Sequence, residues 1–436
     1  MGAVKISKFL GEAPKISTEL LPDGAAQVAY NTKLYSGDLV PYQEPVVVAD
    51  ANRTGTIKTL YALRDIAAGT LKWLTWATDV DIAVASSTED DEQRFYYTGD
   101  GAPKVSNYAL ATATGAPYPN TYYNLGLPLP TTTPTTSAAS FTVTNTASYA
   151  RDSGNTATIT TGTAHSLRTG NIVTIRDFTT TVGEEFNSVN VQVTVTGATT
   201  FQYFNPGDAV STASDTAGRV DLAGNTQIRT HVYTWITPWG EESIASIPTD
   251  ELYIKEGQVV TITGLPTANP SSDYYIRGLR IYRTLPSASG TEYYKLSDLW
   301  FPIATTTVAR SGNVSTVTFA EPHNFISGDR FKLSGCTTTS FNITDGTVTA
   351  VVDEYTITYD QTAADTGETA DTAGTLFHDV AESLSDPARY WGDSSYTYTD
   401  DFLDTNLTTI LDSDYYDEPP INLQGIKVAN NNILMG

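Results

Sequence analysis

Ile228-Arg229-Thr230-His231-Val232-Tyr233-Thr234-Trp235-Ile236-Thr237 is the stretch that decides the fold. Bulky side chains alternate with small or polar ones, and β-branched and aromatic residues are enriched. That is the pattern of a half-buried strand. Pro238-Trp239-Gly240-Glu241-Glu242-Ser243 breaks it, a turn by composition. Gln258 to Thr263, Gly278 to Thr284 and Glu292 to Leu296 follow as further short strands. Strands of this length, punctuated by Gly, Pro and Asn, predict a small β-sandwich of the fibronectin or immunoglobulin type. No residue in this stretch is catalytic by type or spacing.

An internal repeat flanks the sandwich. One copy contains Ala164-His165-Ser166-Leu167-Arg168-Thr169-Gly170-Asn171-Ile172-Val173, the other Pro322-His323-Asn324-Phe325-Ile326-Ser327-Gly328-Asp329-Arg330-Phe331. Downstream, Phe186-Asn187 matches Phe341-Asn342. Thr200-Phe201-Gln202-Tyr203 matches Thr356-Ile357-Thr358-Tyr359, and Asp215-Thr216-Ala217-Gly218 matches Asp371-Thr372-Ala373-Gly374. Landmarks that keep their order over the length of a small domain mark a duplicated unit. Each copy reads as all-β. The Gly-Asn and Gly-Asp pairs belong in a turn that tolerates positive φ. The two copies are separated by the sandwich, so they form no tandem solenoid. The second interrupts the sandwich, as inserted domains do at loop tips.

The predicted architecture is therefore all-β and multidomain. Residues 1–126 form an N-terminal β-rich platform and 127–140 a Pro/Thr linker. Residues 141–221 are repeat copy 1, 222–303 plus 377–420 the fibronectin-like sandwich, and 304–376 repeat copy 2. Residues 421–436 begin a further β unit. Within the platform, Pro45-Val46-Val47-Val48 and Asp81-Ile82-Ala83-Val84 are strand-sized, Thr70 to Trp76 alternates, and Arg94 to Gly101 runs from strand into glycine turn. Gly24 to Leu34 is the one helix candidate, on a weak apolar stripe. Three prolines and a run of Thr and Ser favour extended, polyproline-like backbone over 127–140. The chain stops inside a hairpin, Gly425 to Gly436 with an Asn-rich turn. It reads as a piece of a longer protein or as a terminal strand that pairs with a neighbour.

Charge excludes some functions. Acids outnumber bases 49 to 25 in 436 residues, for a net charge of −24. Such a chain is a poor ligand for a phosphate backbone, where affinity comes from Lys and Arg. It suits a channel through which DNA slides without sticking. The single cysteine, Cys336, rules out an internal disulfide framework. No apolar stretch approaches the ~18 residues of a membrane span, and the N-terminus carries no signal-type segment. The expectation is a soluble chain made in the cytoplasm.

Candidate chemistry is sparse. His165, His231, His323 and His378 lie apart, with no second His or Cys at zinc-ligand spacing. Turn-stabilising hydrogen bonds are the expected role of His165 and His323. Asp400, Asp401, Asp404, Asp412, Asp414, Asp417 and Glu418 make an acidic run. Its spacing fits no EF-hand, and a solvated or subunit-facing surface is expected. Asp90-Asp91 and Asp400-Asp401 would make poor glycosidase couples, because strand neighbours point to opposite faces. The expected set of catalytic, cofactor-binding and metal-binding residues is empty.

Five places, taken in order, carry a family likeness. They are Phe9-Leu10-Gly11-Glu12-Ala13-Pro14 with Leu21 to Ala26; Ser36-Gly37-Asp38-Leu39-Val40-Pro41; and Phe95 to Gly101 with Ala102-Pro103-Lys104. The fourth is Tyr233 to Ser243 with Leu279-Arg280-Ile281-Tyr282-Arg283-Thr284, and the fifth Pro419 to Gly425 leading to Asn431-Asn432-Ile433-Leu434. Together they resemble the nozzle proteins of short-tailed bacteriophages, also called tail tubular protein B. The likeness covers most of the chain outside the two repeats, which look like lineage-specific decoration.

It implies a virion protein, assembled in the host cytoplasm, whose 421–436 segment leads toward further, propeller-like β-structure. It implies a homohexameric ring below the adaptor protein, near the tail fibres, conducting double-stranded DNA during ejection without adhering to it. Six copies at −24 each would focus a repulsive field on a polyanion, felt only within about 8 Å of lumen-facing carboxylates at physiological salt. Which residues line that channel or make the subunit contacts is not legible in the sequence. Two other readings stay open: a receptor- or glycan-binding spike or fibre module, whose tyrosine- and threonine-rich surfaces would meet sugar, and a polysaccharide-degrading enzyme.

Overall fold

In a computed structural model the chain is nearly all β, with 43% of residues in strands and 4% helical. The structure describes residues 8–33, 40–42, 44–66, 68–84, 92–138, 144–287, 290–381, 388–402, 404–412, 418–428 and 434–435. Two compact units result. One comprises 1–77 with 111–120, the other 78–110 with 121–436.

The sandwich lies in the larger unit. Strand His231–Ile236 is one edge of a three-stranded antiparallel sheet, paired with the central Gly278–Ser287, which pairs in turn with Gly290–Trp300. Every residue of His231–Ile236 is buried, on both faces. The expected single strand from Ile228 is in fact two. Thr226–Arg229 pairs with Leu252–Lys255 instead, and Thr230 is the hand-over. A second three-stranded sheet runs Thr135–Ala138, Val260–Thr263, Thr399–Asp400. Its edge strand was expected to be linker. Pro128, Pro130 and Pro134 end before it, and Thr135–Ala138 is free to donate along Val260–Thr263. Leu127 is buried in the sandwich core, so 127–138 belongs to the sandwich and is no free tether.

That core also joins segments on either side of copy 2. Tyr233, Trp235, Leu279 and Leu299 precede the copy; Trp391, Tyr398 and Leu407 follow it. Burying a side chain of this size contributes roughly 1.5–3 kcal/mol, so the stretch after the copy is held by the one before it.

The two copies fold alike, strand for strand. Copy 1 has strands Thr144–Arg151, Thr156–Thr161, Ile172–Arg176, Ser188–Gln192, Thr194–Gly197, Thr200–Phe204, Val210–Ser214 and Arg219–Leu222. Copy 2 has Ile303–Ser311, Val314–Phe319, Arg330–Ser334, Ile343–Thr347, Ala350–Asp353, Thr356–Asp360, Thr366–Ala370 and Thr375–His378. In both, the order across the sheet is fourth, third, eighth, first, second, sixth, fifth, with the seventh paired to the first. Phe186, Phe201 and Val220 centre one core; Phe341, Ile357 and Leu376 centre the other.

The expected 1–126 platform is divided. Asp81–Val84, Phe95–Thr98, Lys104–Ser106 and Tyr123–Asn124 form a four-stranded sheet that belongs to the larger unit. The reason is local: Tyr123 stacks on Tyr275 of the sandwich at 4.8 Å, and Asn124 N–H donates to Asp273 O at 2.7 Å.

In the smaller unit, Thr59–Arg64 and Leu71–Trp76 form an antiparallel hairpin. Arg53 Nε donates to Thr75 Oγ1 at 2.8 Å and fastens the approach to it. The helix expected from Gly24 does not form. Gly24 sits at φ +89°, and Leu10 N–H donates to its carbonyl at 2.6 Å. Ala25–Ala26 then pairs in parallel with Gly11–Glu12. A Cβ on Gly24 would lie 2.3 Å from Lys8 O, so only glycine fits. Pro45 to Val48 forms no strand either and is exposed.

The terminal hairpin has its second arm: Lys427–Val428 pairs with Leu434–Met435, while its Asn-rich turn lies outside the described residues. Among the described residues, no helix is long and apolar enough to cross a membrane.

Candidate functional site

Charge is concentrated inside the sandwich. Arg283 comes from the middle of Gly278–Ser287 and Asp400 from Thr399–Asp400, and neither is exposed to solvent. Arg283 Nη1 donates to both Asp400 oxygens, at 2.8 and 3.0 Å. Its Nη2 donates to Asp404 Oδ1 at 2.6 Å, and Arg229 Nη2 reaches the same oxygen at 3.0 Å. His231 Nε2 lies 3.0 Å from Asp400 Oδ2.

Burial by itself raises a carboxyl's pKa. Here the His231 hydrogen bond and the Arg283 and Arg229 charges outweigh it and hold Asp400 below its ordinary value. Burial lowers Arg229, as does Arg283 beside it. A buried charge persists only when paired and hydrogen-bonded, and here two arginines, two aspartates and a histidine share the pairing. His231 and Asp400 resemble the base-and-orienter half of a hydrolase triad. The thiol that would supply a nucleophile, Cys336, packs in the core of copy 2, its pKa pushed up to about 11 by burial. The network fastens the Thr399–Asp400 strand to Gly278–Ser287 and His231–Ile236.

A cleft of about 890 Å³ opens beside it, where copy 1 meets the sandwich. The repeat's His-containing loop forms one wall. Arg168 pairs with Asp401, and Asn171 Nδ2 donates to Gly257 O at 3.1 Å. Arg389 grips Asp401 from the other side at 2.9 and 3.0 Å. Adjacent Asp400 and Asp401 thus face opposite ways, one into the sandwich and one into the joint. The acidic run was expected at the surface. Its first members are instead internal counter-ions, because Arg229 and Arg283 on their strands and Arg168 and Arg389 at the joint bring charges that need neutralising. Asp412 and Glu418 are exposed; Asp414, Asp417, Asp90 and Asp91 lie outside the described residues.

Copy 2 and the four-stranded sheet meet the sandwich at an aromatic joint. Tyr275 lies between Tyr123 and Trp239, at 4.8 and 4.5 Å. Arg277 sits 5.1 Å from the Tyr275 ring and pairs with Glu321 of copy 2 at 2.8 Å. Arg94 covers Trp239 at 5.9 Å. Such stacks and cation–π contacts each contribute roughly 0.5–1.5 kcal/mol beyond burial. Burial raises Glu241 beneath them.

Both repeat histidines do what their spacing suggested. His165 Nδ1 accepts from Leu167 N–H and His323 Nδ1 from Phe325 N–H, each at 3.0 Å. The residue between, Ser166 or Asn324, takes φ near +54°. Gly170 and Gly328 both adopt φ +97°. His378, fully buried, donates Nε2–H to His323 O at 2.7 Å and stacks on Phe325. Burial holds its pKa down at about 4.

Among the described residues, no group of three or more His, Cys, Asp or Glu is placed to hold a metal ion. Sequence reasoning missed the Arg283–Asp400 network. Its local signal is two charges, Arg280 and Arg283, inside Leu279 to Leu285, which stand on opposite faces of one strand so that one of them must turn toward the core. No protein-family model matches the chain, and no curated protein matches it.

Proposed function

We propose that this chain is a wall-forming subunit of a phage tail. In this reading it builds the distal nozzle ring of a short tail, docks on the adaptor protein and fibres, and lets double-stranded DNA pass without adhering. The observation that carries the reading is where the positive charge goes. Arg151, Arg229, Arg280, Arg283, Arg330 and Arg389 each face a carboxylate of the same chain. These arginines are taken up by the chain's own carboxylates, and the acidic excess of 49 over 25 makes the chain a poor match for a phosphate backbone. The modules themselves are joined by ion pairs and stacked rings, as a load-transmitting wall requires, and the buried His231–Asp400 pair holds the sandwich together between them.

The test is duplex DNA offered to the purified protein at low salt, where phosphate affinity is greatest. No retained complex is expected up to tens of micromolar protein. A salt-sensitive complex of micromolar affinity or tighter would contradict the reading.

A further inference from the structure

The smaller unit is built unlike the rest of the chain. Among the described residues of 1–77 and 111–120, only Phe9, Leu63, Leu74, Trp76 and Ala111 are buried hydrophobics. Among the described residues, fourteen of the twenty-nine exposed large hydrophobics lie there, although this is much the smaller of the two units. Val46, Val47 and Val48 are 80, 87 and 82% exposed. Consecutive side chains of an extended segment point to opposite faces, so this triplet is uncovered on both. Tyr30, at 87%, and Tyr42, at 55%, add to the exposed apolar surface of the same unit. Scattered single apolar residues need no explanation, whereas this density marks an interaction surface.

The charge of the unit says which partner fits. It holds eight Lys and Arg against seven Asp and Glu, a net of +1, so the remainder carries −25 (−24 less +1). Two acidic bodies repel one another; a near-neutral apolar unit is the part of this chain that can approach another copy's acidic body without that cost. A contact between unlike surfaces repeats head to tail and closes into a ring when its rotation allows.

We infer that the Val46–Val48 surface of the smaller unit docks on the acidic larger unit of a second copy, making the subunit contact. This rests on the ring reading above and specifies its interface. The triplet is β-branched and strand-forming by sequence, and it would gain in the assembly the cover and pairing it lacks in one chain.

The test uses the full chain. An equal mixture of light and nitrogen-15 protein is joined by zero-length carboxyl–amine crosslinking and read by mass spectrometry, while sedimentation follows assembly. Crosslinks from Lys33 or Lys58 to acids within 121–436 are expected to mix the two isotopes. Val47→Asp is expected to weaken assembly at least tenfold, and Val47→Lys less, since the partner surface is acidic.

Because Val47 is exposed, both variants should keep the wild-type strand signal in circular dichroism; Val48→Asp is the second variant should Val47→Asp lose it. Crosslinks of one isotope only, or Val47→Asp assembling like wild type, would overturn the inference. So would equal losses from Asp and Lys. A ring indifferent to these variants removes this contact and leaves the ring reading. A chain monomeric at every concentration removes both.

Discussion

Arg283 and Asp400 stand 117 residues apart in sequence and meet as a fully buried pair, at 2.8 and 3.0 Å. All of copy 2 lies between them. The pair closes the sandwich behind the insertion, tying its last short strand to its central hairpin. With Asp404 and Arg229 it also fixes where the joint to copy 1 begins.

Removing one partner leaves a buried charge without compensation. Asp400→Ala should therefore destabilise the sandwich by about 3–5 kcal/mol, read as a lower denaturation midpoint. Replacing the pair together, Arg283→Met with Asp400→Leu, should cost clearly less than Asp400→Ala alone. Equal losses would mean that packing, not charge pairing, holds this strand.

The joint beside it behaves differently. Arg168 is nearly half exposed, and an ion pair in that setting contributes roughly 0–1 kcal/mol. Arg168→Ala should leave the melting of both modules almost unchanged while raising hydrogen exchange around Asn171 and Gly257. Asp401→Ala, which also strands the half-buried Arg389, should be the more damaging change on thermal denaturation.

Asp215 and Asp371 occupy one position of the duplicated unit. Asp371 accepts from Thr337, Thr338 and Ala373 N–H, and Asp215 from Thr179, Thr180 and Ala217 N–H. Burial opposes ionisation at both, yet these amides hold both pKa values below the ordinary carboxylate range. Asp371→Ala and Asp215→Ala should each cost about 1–3 kcal/mol through stranded backbone donors. Hydrogen exchange should rise at the named amides of the altered copy and not of the other.

The copies part company in acid. His378 is fully buried and held at about 4, against an ordinary value near 6.5, and burial lowers His323 too. The folded state thus refuses a proton that the unfolded state accepts. The His378 contribution to stability is fully present above pH 6.5 and falls as the pH drops toward 4, by roughly 1.4 kcal/mol per unit, with His323 acting in the same direction. Copy 1 carries Leu222 where copy 2 carries His378, by their strand partners Val173 and Phe331. Hydrogen exchange should show 303–378 losing protection before 144–222 over this window. His378→Leu should flatten the slope by one proton; an unchanged slope would assign the effect elsewhere.

Local chemistry made part of this fold legible. The His165 and His323 loops, the turn glycines at 170 and 328, and the strand around Trp235 follow from neighbours in sequence. What stayed hidden depends on partners far away. Asp400 looks like one more member of an acidic run until Arg283 and His231 arrive from 117 and 169 residues distant. Thr135–Ala138 looks like tether until Val260–Thr263 offers an edge. Gly24 begins a plausible helix until its carbonyl is claimed by Leu10. At Val46–Val48 the valines specify a strand, and among the described residues no strand pairs with them, which is why the proposed contact looks outward.

The most direct measurement of the wall-forming account is the rotational symmetry of the assembled full-length protein by electron cryomicroscopy. A closed six-fold ring with aspartate and glutamate facing its lumen is the predicted result. A monomer, a three-fold spike, or a ring whose inner face is lined by lysine and arginine would contradict it.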